Sequence, residues 1–298
     1  MYQAGSDQSI MAIMTVDREH AFYFDHQLDH IPGIMLVAEL LKVVRTAARK
    51  VRCDESMIAI SISFPRFCEL DEDIELHAYP ARHPGQWNCI ATQAEHSVCT
   101  GSVHFHGPPP GGRRAVPAYA AASAELMPGY LVHRYRRENI LVGRACQEEE
   151  GPLRTAVLSP GTHDHMFRLL DRERRMPEEL IEAGRQTAVM LWSHSFGWPP
   201  DARLMLDSVR AELPVTVDRR VPLELRWWPS AVRGNTVKGT AVKGTAVKGN
   251  KAQIPLEVVS RAGDPELLGT ITFAMRAVTE SAWRRIRSVR LPAPAAGS

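Results

Sequence analysis

The chain has 298 residues, of which 44% are hydrophobic and 23% charged, with a formal net charge of +2; this is a globular composition for about two domains and excludes disorder over most of the length. So small a charge excess gives no polyanion-binding field over the whole molecule, so no nucleic-acid partner is expected. No apolar run approaches the ~20 residues of a membrane span; the longest candidate, Ile31 to Val44, carries Glu39 and Lys42. Met1 to Ile10 lacks a basic stretch followed by an apolar one, so no export signal is read there and a cytoplasmic location is expected. The cysteines are Cys53, Cys68, Cys89, Cys99 and Cys146, an odd count without C-x-x-C spacing. Reduced and mostly buried thiols are expected.

In chain order, Ala21 to Phe24 reads as a short aromatic strand. A helix begins near Pro32, because proline suits a first turn. Its apolar positions Leu36, Leu40, Val43, Val44 and Ala47 follow helical spacing, and Ile34, Met35, Val37 and Leu41 add apolar surface on the other sides. Such a helix must be wrapped on most of its faces. Strands follow at 57–64, 73–79, 87–94 and 97–105; the alternation from Ile58 to Phe64 has period two. Residues 107–128, opening with Gly107-Pro108-Pro109-Pro110-Gly111-Gly112, read as a linker between a unit at 1–106 and one at 129–290, with a flexible tail at 291–298.

The second unit repeats the order. Strands are expected at 141–146 and 153–158, then a polar loop holding His163 and His165, a helix at about 177–193, and strands at 203–212, 223–228, 236–248, 254–260 and 268–277. A Val-Lys-Gly-Thr-Ala unit recurs between Thr236 and Gly249. Its odd period argues for an irregular edge strand protected by Lys238, Lys243 and Lys248, with phosphate binding as the alternative. The expected fold class is α+β, a double hotdog: two curved antiparallel sheets, each wrapped round a central helix, associating within one chain or as a homodimer.

Chemistry concentrates at Asp25-His26-Gln27-Leu28-Asp29-His30-Ile31-Pro32-Gly33. Two Asp-His pairs stand just ahead of a helix N-terminus, where free N–H groups favour an anion or a developing oxyanion. A histidine there can carry a proton while the adjacent aspartate fixes its tautomer. Zinc ligation by His26, Asp29 and His30 competes with this, as does simple turn and capping chemistry. Within the helices, Glu39 and Lys42 share a face, as do Glu182 and Arg185. Each pair is either a helix-stabilising ion pair or a carboxylate base beside an anion-binding cation. His133-Arg134 opens the second unit without a local signature of its own. No nucleophile elbow or glycine-rich nucleotide loop is present, so no nucleotide cofactor or metal is called for.

These motifs resemble the A-factor synthase (AfsA-type) hotdog family, which makes γ-butyrolactone signal precursors. The resemblance rests on Asp25 to Gly33, on Phe67-Cys68-Glu69-Leu70-Asp71, on Val132-His133-Arg134 with Ile140-Leu141-Val142, on Glu182-Ala183-Gly184-Arg185-Gln186, and on Trp283-Arg284-Arg285-Ile286-Arg287. The two repeats stand in swapped order relative to the family. Glu39 lies seven residues past Pro32, one more than the family spacing, so Ala38 holds the family position unless an extra residue is absorbed in the first turn near Gly33; Lys42 replaces the family arginine, and Met176-Pro177 replaces Asp-Pro. The resemblance implies an acyltransferase moving a β-ketoacyl group from an acyl carrier protein thioester to dihydroxyacetone phosphate or a similar phosphorylated alcohol. It implies Glu182, Arg185, Glu39 and His30 as catalytic residues, and Asp25, His26, Asp29, Gly33, Lys42 and Gln186 as substrate-binding ones. A hotdog thioesterase or dehydratase and a non-catalytic acyl-binding regulator are the alternatives.

Overall fold

A computed structural model describes residues 9–48, 56–108, 114–200, 202–229, 247–248 and 250–288. The first half comprises β1 (Ile10–Met14), α1 (Gly33–Ala48), β2 (Met57–Ser63), β3 (Ile74–Pro80), β4 (Gln86–Gln93) and β5 (His96–His106). After β6 (Arg114–Ala115) come α2 (Gly129–Val132), β7 (Cys146–Gln147), β8 (Leu153–Val157), α3 (Met166–Leu170), β9 (Arg174–Arg175), α4 (Pro177–His194), β10 (Arg203–Pro214), β11 (Val217–Asp218), β12 (Leu223–Trp227), β13 (Val247–Lys248), β14 (Lys251–Ser260), β15 (Glu266–Val278) and α5 (Glu280–Ser288). The main sheet runs β1-β3-β4-β5-β2-β10-β15-β14-β12-β8-β7. The halves join where β2 pairs antiparallel with β10, from Ser63 opposite Ser208 to Met57 opposite Pro214.

Alternation sets which face each strand buries: along β4 every second residue, Trp87, Cys89, Ala91 and Gln93, is buried. The two long helices lie on the sheet, α1 against β1, β3, β4 and β5, and α4 against β8, β10 and β15. Every residue of α4 from Pro177 to Trp192 except Arg185 is buried. The helices also meet each other: Arg45 near the end of α1 makes a two-pronged ion pair with Glu178 in the first turn of α4, one arm at 2.8 Å. Glu178 is almost fully buried, so the pair fastens one half to the other through desolvated charge.

At Gly184, α4 comes close to β15. A Cβ there would stand 3.0 Å from the Phe273 ring and 3.2 Å from Ile271. Replacing it by alanine gains ~1 kcal/mol of helix propensity and costs ~1–3 kcal/mol of overpacking. Gly184→Ala is therefore expected to lower the thermal unfolding midpoint by a few degrees, read by calorimetry; a raised midpoint would show that the contact relaxes freely.

Several sequence expectations change. Residues 21–24 form a turn, closed by Phe24 N–H to His20 O at 3.0 Å, and the first strand lies earlier, at β1. The buried Phe22 and Tyr23 gave the segment its strand-like look, but both amides bond the His20 ring nitrogen instead of a ladder. Residues 141–146 do not form a full strand; Val142 and Gly143 make isolated bridges only. His165 is buried and caps α3 rather than standing in an open loop. Residues 114–128 lie across the second-half sheet. Buried Arg154 and Arg226 each donate to it, to Ala120 O and Pro117 O, and both stack on Tyr119. Cys68, Cys89 and Cys99 are buried and reduced, Cys146 is half-buried, and Cys53 lies outside the described residues. The Val-Lys-Gly-Thr-Ala repeat, apart from the backbone of Val247 and Lys248, and the 291–298 tail also lie outside them.

Candidate functional site

A cavity of ≈ 380 Å³, a size typical of small-molecule sites, lies between the halves. The first half supplies Tyr23, His26, His30, the start of α1 from Ile31 to Ile34 with Leu36, and the loop from Phe64 to Cys68. The second supplies His133, Arg134, Arg185 and Val189, Leu204 to Leu206, Met275, Arg276 and Ile286. The loop is held beside α1 by Ile31 N–H to Cys68 O at 2.8 Å, and by Gln93, whose amide donates to Glu69 O and Glu72 O. Its Cys68 thiol is pushed up to about 12 by burial, too high for a thiolate nucleophile at neutral pH.

Both Asp-His pairs form. Asp25 Oδ1 and His26 Nδ1 are 2.7 Å apart, and Asp29 Oδ1 and His30 Nδ1 2.8 Å. Since a carboxylate accepts, each ring carries its proton on Nδ1 and leaves Nε2 without a hydrogen bond among the described residues. The Asp25 side chain is buried. Burial alone would raise its pKa, but the bonds from His26 and Asn139 and the Arg134 charge hold it below the ordinary carboxylate range. His26 stacks on exposed Tyr135. The bond from His30 is the main cause that holds Asp29 down to about 2, against burial and with help from Arg287 and Trp283.

That second pair reveals contacts the sequence did not show. Trp283 Nε1 of α5 donates to Asp29 Oδ2 at 3.1 Å, and His30 packs against Trp283 and Phe67. Arg287 grips Glu69 with two bonds of 2.7 Å and Asp29 O with a third. The closing Trp-Arg-Arg-Ile-Arg segment thus docks on the first half, 218 residues from Glu69. In the sequence both segments stand as separate motifs of the resemblance, with no sign that they meet.

Glu182 does not line the cavity. Its Oε1 accepts from Arg134 Nη2 at 2.7 Å, Arg185 Nη2 at 2.8 Å and Gln186 Nε2 at 2.9 Å, and its Oε2 from Arg185 Nε at 2.7 Å. Burial would raise this carboxyl, but Arg134 and Arg185 override it and hold it at about 2. A carboxylate so held accepts a proton poorly, so the expected general base becomes an anchor for two arginines. Arg185 alone of the group reaches the cavity wall with an unused nitrogen, Nη1, among the described residues. Gln186 also lies off the cavity, bridging Glu182, Asn139 O and Leu141 N.

Glu39 and Lys42 lie off the cavity lining, though the Glu39 charge bears on Tyr23 in its wall. They pair with each other at 3.1 Å, Lys42 is 69% exposed, and neither lines the cavity. The first turn of α1 is regular, with Met35 and Leu36 N–H groups both directed to Pro32 O, so no extra residue is absorbed and Ala38 keeps the family position. In this geometry the half-buried Glu39 and the exposed Lys42 form a helix ion pair off the cavity lining. Gly33 opens α1 on the cavity wall, where a Cβ would come 3.3 Å from the Phe64 ring. No group of three metal-ligating side chains exists among the described residues; His26 pairs with Asp25, while Asp29 pairs with His30 and Trp283.

The family model of the AfsA A-factor biosynthesis hotdog domain matches residues 2–102 and 118–279. The chain belongs to the A-factor biosynthesis hotdog family. No curated protein matches. Among solved structures, the dehydratase domain from the CurF module of curacin polyketide synthase is similar at 10% identity and TM-score 0.59, over 94% of this chain and 97% of that one. The corresponding CurJ domain gives 13% and 0.61 over 93% and 95%. The dehydratase domain of PpsC from Mycobacterium tuberculosis, in complex with C12:1-CoA, gives 12% and 0.53 over 91% and 94%. At such identities the likeness concerns the fold: a hotdog-like architecture with a large antiparallel sheet and a few helices. No helix among the described residues is long and apolar enough to cross a membrane.

Proposed function

We propose that this member of the A-factor biosynthesis family is a cytoplasmic acyltransferase of two hotdog units in swapped order, transferring a β-ketoacyl group from an acyl carrier protein thioester to dihydroxyacetone phosphate or a similar phosphorylated alcohol. The reading is carried by Arg185, a cation fixed on the cavity wall by a fully buried carboxylate, in a cavity whose apolar lining residues suit an acyl chain. Arg185 would hold the phosphate, since a guanidinium locked by two bonds loses little freedom on gripping it. The thioester carbonyl would sit at the α1 N-terminus near Gly33, where backbone N–H groups favour a developing oxyanion. His30, oriented by Asp29 through Nδ1, would line the thioester end of the cavity with Nε2. His26, oriented by Asp25, borders the same space. Glu182 and Gln186 act as positioning residues. The joined β2–β10 edge would let one chain supply the pairing that single hotdogs find by dimerising.

The test is incubation of purified protein with β-ketoacyl carrier protein and dihydroxyacetone phosphate, with products identified by mass spectrometry. The phosphorylated ester and free carrier thiol are expected. Free β-keto acid without ester would point to a thioesterase. Turnover of only a β-hydroxyacyl thioester, with loss of water, would point to a dehydratase. Binding without turnover would make the protein a regulator.

A further inference from the structure

We propose that His133 is the general base of this reaction, its Nδ1 taking the proton of the acceptor hydroxyl while Arg185 holds the acceptor's phosphate; the inference rests on the acyl-transfer reading above. Sequence gave His133 no role beyond opening the second half. The structure puts it on the cavity wall with Arg185 and His26.

Three observations fix its chemistry. First, His133 Nε2 lies 2.9 Å from the Pro200 carbonyl oxygen. A carbonyl can only accept, so Nε2 carries the proton and Nδ1 holds the lone pair, with no hydrogen bond on Nδ1 among the described residues. His26 and His30 have the opposite tautomer, each with a carboxylate on Nδ1. Second, His133 ends α2 in the left-handed region, at φ 53° and ψ 51°, with its own N–H bonded to Gly129 O. That conformation is uncommon for a non-glycine residue and persists where the surroundings enforce it. It seats the ring at the cavity while the next residue, Arg134, reaches Glu182. Third, the groups that bear on the ring are Arg185 from α4, His26 from the loop ahead of α1, and Arg203 from β10. Burial first, then these three, hold its pKa below the ordinary histidine value against the bond to Pro200. The ring is therefore neutral near pH 7 and able to accept a proton. A phosphate arriving at Arg185 offsets the local positive charge and strengthens the base as the acceptor binds. The other candidate base, Glu182, is consumed by its arginines.

The step balances as follows. The hydroxyl proton passes to His133 Nδ1 as the oxygen forms its bond to the thioester carbon, and the carbonyl electron pair moves to oxygen. Collapse of that oxyanion breaks the C–S bond, and the sulfur leaves with the bonding pair and takes up the proton that His133 Nδ1 received from the hydroxyl. The products are the ester and the thiol, and His133 is left neutral for the next turnover.

The experiment follows thiol release and product identity from pH 5 to 9 for the parent, His133→Gln and His133→Gly. Glutamine keeps an N–H for Pro200 but offers no base; glycine suits the left-handed backbone and leaves room for imidazole. The parent's kcat/KM should rise with pH through a pKa below ~6.5. His133→Gln should lose about 10²–10⁴ in kcat, with KM for the phosphorylated acceptor within about threefold. Imidazole should restore about tenfold or more in His133→Gly and nothing in His133→Gln. Parental kcat in His133→Gln, or a folded His133→Gly that imidazole does not rescue, overturns the assignment. If the parent releases acid and no ester, the phosphorylated-acceptor reading falls, and the same loss and rescue in thiol release would still support His133 as base toward water. Ester formation that survives both substitutions overturns His133 alone. A parent that releases no thiol overturns both.

Discussion

Glu182→Gln is expected to cost about 3–5 kcal/mol of folding stability, read as a shift of the urea unfolding midpoint at constant slope. The substitution keeps shape and removes one negative charge that serves two cations. Arg134 and Arg185 would then face each other across a neutral amide, in a place where Glu182 is fully buried and Arg134 is 4% exposed. Folding lowers the Glu182 pKa to about 2 from an ordinary 4.5. Its contribution is therefore complete above pH ~4.5 and drains away as pH falls toward 2, by about 3 kcal/mol in all. The parent should lose stability across that window more steeply than Glu182→Gln does. A variant as stable as the parent, with the same acid profile, would show that the buried cluster contributes nothing. Loss of activity in this variant would not identify a base, because the arginine it anchors goes with it.

Arg185→Ala should separate function from fold. It leaves Glu182 with Arg134 and Gln186, a neutral and still hydrogen-bonded group, so the midpoint should move far less than in Glu182→Gln. The wall loses the fixed cation whose Nη1 has no partner among the described residues. One charge-assisted grip is worth ~1.5–3 kcal/mol, so KM for a phosphorylated acceptor should rise about 10–10²-fold, while KM for the acyl thioester stays within about twofold. Arg185→Lys should recover only part, because a point charge does not reproduce the double bond to Glu182. Comparing phosphorylated with unphosphorylated alcohol is decisive: the parent should prefer the former, and Arg185→Ala should lose most of that preference. Equal loss toward both acceptors would place the phosphate elsewhere.

The two long helices, most strands to within a residue or two, the paired Asp-His turns and the family were all legible in the amino-acid sequence. All of these follow from local rules: period two in β2, helical spacing in α1, proline at a first turn, and aspartate next to histidine. It also drew attention to both Glu-x-x-Lys/Arg pairs but could not rank them, because spacing fixes a shared face and leaves open what that face meets. Tertiary structure decided it. α4 is enclosed between sheet and α1, so Glu182–Arg185 is desolvated and joined by Arg134 from 48 residues earlier. α1 turns Glu39–Lys42 outward, where solvent leaves such a pair worth little. The same holds for Arg287 with Glu69, Arg45 with Glu178, and His133 with Pro200. Each joins residues far apart in the chain, and no local pattern marks a partner that only the folded arrangement brings within reach.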